Sequence, residues 1–138
     1  MSTSLAQTLA SLHALLTAEG YLAHAQGVHE AQRALEQSDD AVCSTLASNA
    51  FWGGPGAIWE IGFSREWFPA DAPVDMVAAL RARSDDAVNA ANHRLAELVV
   101  KLSDEFATTC AGHVHPSWIE RATYLGSVHK NWIENGIR

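Results

Sequence analysis

The feature that most constrains the fold is a run of Val88, Ala91, Leu95, Leu98, Leu102, Phe106 and Thr109. Apolar residues recurring every three or four positions line one face of an α-helix, whereas a half-buried strand would alternate every second residue. Ser84, Asp85 and Asp86 supply acceptors for the free amides of a helix start, and Gly112 is placed to end it. The spacing therefore predicts a helix of about 25 residues. A helix that long cannot cover its own apolar stripe, so the rest of the chain must provide packing partners.

The rest has the same period. Leu5, Leu9, Leu12 and Leu16 mark a first helix ending at Gly20. Tyr21, Ala25, Val28 and Leu35 mark a second helix reaching Ser38, weakened in its middle by Gly27. Asp39 and Asp40 stand at the start of a third, which carries Val42, Leu46 and Ala50. SREWFPADAP reads as a loop, after which Pro73 opens a short helix with Met76, Val77 and Leu80. A last helix follows Pro116, with Trp118, Ala122, Leu125, His129 and Trp132 on one face. No segment sustains two-residue alternation, and the expected fold class is all-α, a single-domain bundle of five to six helices over residues 1–138.

Composition fits a globular domain of this length, with 48% hydrophobic and 18% charged residues. No run approaches the roughly 20 apolar residues of a membrane span. The N-terminal MSTSLAQTLASLHALL has no basic segment before its apolar residues, so a cytoplasmic protein is expected. Cys43 and Cys110 lack CxxC spacing, and two reduced, buried thiols are expected. The net charge of −7 repels phosphate backbones, which argues against nucleic acid and favours a basic protein partner.

The helical pattern is interrupted by FWGGPGAIWEIGF, residues 51–63. Glycine reaches backbone angles closed to other residues, so Gly53, Gly54, Pro55 and Gly56 are expected to form a structural turn ending the third helix. A phosphate cradle would need GxxxxGK or GxGxxG after a strand, and neither is present. The flanking aromatics either plug the turn into the core or remain partly exposed as a contact loop.

Catalytic groupings are weak. The acidic pairs Asp39–Asp40 and Asp85–Asp86 sit where carboxylates stabilise helix starts, no serine lies in a GxSxG elbow, and no local signature marks either cysteine. No catalytic residue and no cofactor is assigned. His113, His115 and His129 are the runner-up, as a metal site of a small helical metal-binding protein or enzyme, although a histidine on an apolar helix face is more often a core residue.

WGGPGAIWE, residues 52–60, resembles the FGGMGSLND-type motif of a family of small bacterial helical proteins, and NHRLAEL, residues 92–98, resembles that family's NERLxxL segment. The likeness spans residues 5–110. Gly53, Gly54, Gly56 and Glu60 agree in kind, as do Asn92, Arg94 and Leu95; Pro55, Ala57 and Trp59 depart from the Met, Ser and Asn of the motif. Residues 111–138 form a C-terminal helical extension to that pattern. The resemblance implies a cytosolic immunity protein that neutralises a cognate bacterial toxin.

The expected function is thus non-catalytic protein binding to a toxin with a basic surface, through Asp39, Asp40, Trp59, Glu60 and Trp67. Self-association as a homodimer along the C-terminal helix is a further reading.

Overall fold

The computed structural model describes residues 3–136, which form seven α-helices and no strand. They are α1 (Thr3–Ala18), α2 (Leu22–Gln37), α3 (Asp39–Leu46), α4 (Asn49–Trp52), α5 (Val74–Arg81), α6 (Asp85–Cys110) and α7 (Pro116–Asn135), with a 3-10 turn at Ile58–Glu60. The all-α bundle expected from periodicity is the observed architecture.

Its centre is α6, which packs along α7 on one side and against α1 and α3 on the other, while α2 bridges α1 and α3. The periodic residues supply the core: Leu5, Leu9, Leu12 and Leu16 are all fully buried, facing Leu98, Leu102 and Phe106. Burial of a leucine or phenylalanine side chain is worth about 2 kcal/mol, so this seam is a principal stabilising element. The buried face of α6 begins only at Leu95; Val88 and Ala91 near its start are half-buried. Helix α5 has no fully buried residue and lies on the outside of the bundle.

The helix starts use the residues that the sequence offers. Ser38 accepts from the Ala41 amide at 3.0 Å, and Ser84 accepts from Ala87 at 3.1 Å. At α7 the cap is His115, whose Nδ1 accepts from the Ser117 amide at 3.1 Å, followed by Pro116 in the first turn. Gly20, Gly112 and Gly136 have positive φ at the ends of α1, α6 and α7.

Two expectations are corrected. The third helix does not run to Ala50: it ends at Leu46, and α4 starts afresh after Ser48, whose extended backbone redirects the chain so that Phe51 and Trp52 enter the core. Cys43 and Cys110 are not free thiols but a disulfide, because the packing of α3 on α6 brings their Cα atoms to 5.4 Å across a sequence separation of 67. The C-terminal helix belongs to the bundle: α7 forms with α6 the most extensive helix pair and buries Ala122, Leu125 and His129.

Helices α6 and α7 approach closely at small residues. Gly126 faces Ser103, whose hydroxyl donates to the Ala122 carbonyl at 2.7 Å. No described helix is long and apolar enough to cross a membrane.

Candidate functional site

The glycine stretch is both turn and plug. Gly53 closes α4, and a Cβ there would lie 2.6 Å from the Asn49 backbone, so glycine is required. Gly56 has φ +86, a left-handed conformation costly for other residues. Phe51, Trp52, Ala57, Ile58, Ile61 and Phe63 are buried, and Trp52 stacks on Phe106 with centroids 5.7 Å apart. The Trp52 indole Nε1 is buried without a hydrogen-bond partner.

Helix α7 and helix α6 hold this segment by side chains that reach its backbone. Arg121 donates from Nε to the Trp52 carbonyl at 2.8 Å and from Nη2 to Gly53 at 3.2 Å, placing a cation on the carbonyl end of α4. His129, 1% exposed, sets Nδ1 at 2.9 Å from the Leu125 carbonyl and Nε2 at 2.9 Å from the Trp59 carbonyl. Both partners are acceptors, and a neutral imidazole supplies one N–H. Asn92 binds Phe63 twice, accepting from its amide at 2.8 Å and donating to its carbonyl at 3.0 Å. Asn92 thereby ties the 92–98 segment to Phe63, three residues beyond the 52–60 segment.

The partner residues expected from sequence divide into three groups. Trp59 is half-buried, its Nε1 donates to the Gly53 carbonyl at 2.6 Å, and the Arg121 guanidinium lies 5.7 Å from its ring centroid. Its polar handle is engaged by the fold. Asp39 and Asp40 occupy the first turn of α3, where Asp40 pairs with His113 of the α6–α7 turn. Glu60 and Trp67 are exposed, Trp67 by 62%, and both line one cleft of about 220 Å³. Helix α2, 16 residues or about 24 Å long, separates the Tyr21 end, where this cleft lies, from the Asp39 end.

The cleft joins Gly56, Glu60 and Trp67, which the sequence singled out, to Tyr21 and His24 at the start of α2 and to Gly62, which it did not; all six line it. The Tyr21 ring lies 5.5 Å from Phe63, 5.6 Å from His24 and 6.2 Å from Trp67, centroid to centroid. His24 Nε2 is 2.8 Å from the Gly56 carbonyl, which fixes the proton on that nitrogen. Burial, reinforced by the charge of Glu19, raises the Tyr21 phenol above its ordinary value, so it remains neutral at physiological pH.

The surrounding cations are already paired. Arg83 reaches Glu19 at 2.7 Å with both side chains largely buried, Arg65 pairs with Asp85, and Arg81 lies 5.3 Å from the Phe68 ring centroid. Among the described residues Glu60 has no ion-pair partner. A larger groove of about 370 Å³ between α1 and α2 is lined by Ala6, His29, Gln32, Arg33, Leu35 and Glu36, with no Trp, Tyr or Phe.

The three-histidine grouping is not formed. His113 is paired with Asp40, His115 caps α7, and His129 is buried against two carbonyls. Among the described residues no group of three or more His, Cys, Asp or Glu is placed to hold a metal ion.

Fold and site together define an all-α bundle with a small aromatic cleft beside an exposed tryptophan. Comparison of the chain with protein-family models, with curated proteins and with solved structures finds no match.

Proposed function

We propose that this protein is a non-catalytic binding module, an immunity protein that neutralises a cognate bacterial toxin by occluding its active site. The observation that carries the reading is the pairing of Trp67, 62% exposed, with Glu60 at the rim of one cleft. An exposed tryptophan next to an unpaired carboxylate suits a contact anchor: the ring offers apolar area and the acid offers orientation. The net charge of −7 supports a basic partner, because opposite fields speed encounter. The resemblance of residues 52–60 and 92–98 to the FGGMGSLND-type family adds the toxin-immunity assignment.

The compartment follows from a different feature. A disulfide between two fully buried sulfurs favours an oxidising compartment over the cytosol. Quenching cells in acid and then alkylating free thiols under denaturing conditions distinguishes the two, since reduced cytosolic protein would take up two labels and oxidised protein none.

Affinity purification from the native host, with the tagged protein as bait, tests the function. One stoichiometric protein partner is expected, and Trp67→Ala should weaken that complex by about 2 kcal/mol. Recovery of the bait alone, under conditions where the partner is expressed, would overturn the reading.

A further inference from the structure

Resting on the reading that the partner is a protein, we infer that the cleft between Tyr21, Glu60 and Trp67 is a receptor for one arginine side chain of that partner. The chemistry of the walls selects the guest. The Glu60 carboxylate, the Gly56 and Gly62 carbonyls and the Trp67 and Tyr21 rings are acceptors or π-faces, while two side-chain donors of the lining, the His24 Nε2–H and the Tyr21 hydroxyl, are already directed to those carbonyls. A cation satisfies all of them, and an anion satisfies none.

The two carbonyls already accept one bond each, from His24 at 2.8 Å and from Tyr21 at 3.4 Å. A carbonyl oxygen has two lone pairs, so each retains acceptor capacity. Arg65, Arg81 and Arg83 are directed to Asp85, Phe68 and Glu19, and among the described residues no cation pairs with Glu60.

Arginine fits better than lysine for two reasons. A planar guanidinium lies flat on an indole face, and Trp67 is 62% exposed. Its five donors also match acceptors distributed over three chain positions, whereas a compact ammonium is strongly hydrated and loses more on entering an apolar cleft.

The test uses the full-length protein with short blocked peptides, glycine-arginine-glycine and its citrulline and lysine counterparts. The Trp67 indole resonance and the Gly56 and Gly62 amide resonances are followed by NMR titration. The arginine peptide should move all three saturably at millimolar concentration. The citrulline peptide, nearly the same shape without charge, should leave them in place, and the lysine peptide should bind several-fold more weakly. Trp67→Ala and Glu60→Gln should each weaken the arginine isotherm about threefold to thirtyfold, as read from the glycine amides.

Equal shifts with citrulline, equal affinity for lysine, or an isotherm unchanged in both variants would overturn the assignment. The peptide result is independent of the toxin. Arginine binding without any recoverable protein partner would sink the proposed function and leave the receptor standing. A partner whose affinity is unaffected by Glu60→Gln and Trp67→Ala would do the reverse.

Discussion

Two glycines in helix interiors, Gly27 in α2 and Gly126 in α7, should respond in opposite directions to the same substitution. Replacing glycine by alanine inside a helix stabilises it by about 1 kcal/mol, chiefly by restricting the unfolded chain. At Gly27 a new Cβ meets nothing within 4 Å, so that gain should appear undiminished. At Gly126 the Cβ would stand 2.4 Å from the Ser103 hydroxyl oxygen and 2.7 Å from the Ser103 Cβ. Rotating the serine moves the first atom but not the second, so α6 and α7 must separate by roughly 1 Å to reach ordinary carbon contact. Overpacking of this kind costs about 1 to 3 kcal/mol, and disturbing the 2.7 Å Ser103–Ala122 bond adds about 1 more. After the helix gain, Gly126→Ala should be destabilised by about 2 kcal/mol.

Thermal unfolding followed by far-UV circular dichroism measures both variants. For a chain of this length 1 kcal/mol corresponds to about 3 or 4 °C. Gly27→Ala should raise Tm by that amount and Gly126→Ala should lower it by about twice as much. If Gly126→Ala unfolds at or above the temperature of the parent protein, the close crossing of α6 and α7 is not as described.

Other outcomes follow from the same structure. The Cys43→Ala/Cys110→Ala variant should lose about 4 kcal/mol by loop-closure entropy over the sequence separation of 67, read as a lower urea midpoint. Intact mass before and after reduction should differ by the two hydrogens of one disulfide. Arg83→Met strands the Glu19 carboxylate in a largely buried site and should cost about 3 kcal/mol, and Glu19→Leu in the same chain should recover part of it. The raised Tyr21 phenol binds its proton more tightly in the folded state, so its contribution is complete below about pH 10 and is lost as pH rises through the higher folded value. Tyr21→Phe should therefore flatten the alkaline limb of a stability–pH curve; an unchanged limb would show that Tyr21 does not titrate as described.

The helices were legible because their signals are local. Leu5 to Leu16 and Leu95 to Phe106 repeat within single elements, and Ser38, Ser84 and Gly112 mark boundaries within a turn of where they act. Half of the cleft was legible for the same reason: Glu60 and Trp67 flank a glycine stretch that announces itself. Tyr21 and His24 were not, because they join Glu60 and Trp67 across some forty residues and look like ordinary members of a helix. Asn92 was visible as part of NHRLAEL, but its pair of hydrogen bonds to Phe63 depends on how α6 lies against the glycine segment. Arg121 gave no signal at all, since a lone basic residue on a helix face is usually solvated. The disulfide failed most plainly: spacing in sequence says nothing about two cysteines that only the packing of α3 on α6 makes neighbours.

That bond also changes what a cut in the chain would mean. The Cys43–Cys110 bridge encloses the glycine segment, the exposed stretch around Asp71 and Pro73, and helix α5 within one covalent ring. A protease that nicks this stretch opens the ring without parting the molecule. The N-terminal piece, with α1 to α4, stays fastened to the C-terminal piece, with α5, α6 and α7, and the two retain the core that α1, α3 and α6 share. A chain nicked on its outer loop thus keeps its two pieces in one molecule, and reduction of the single bond would leave their association to the shared core alone.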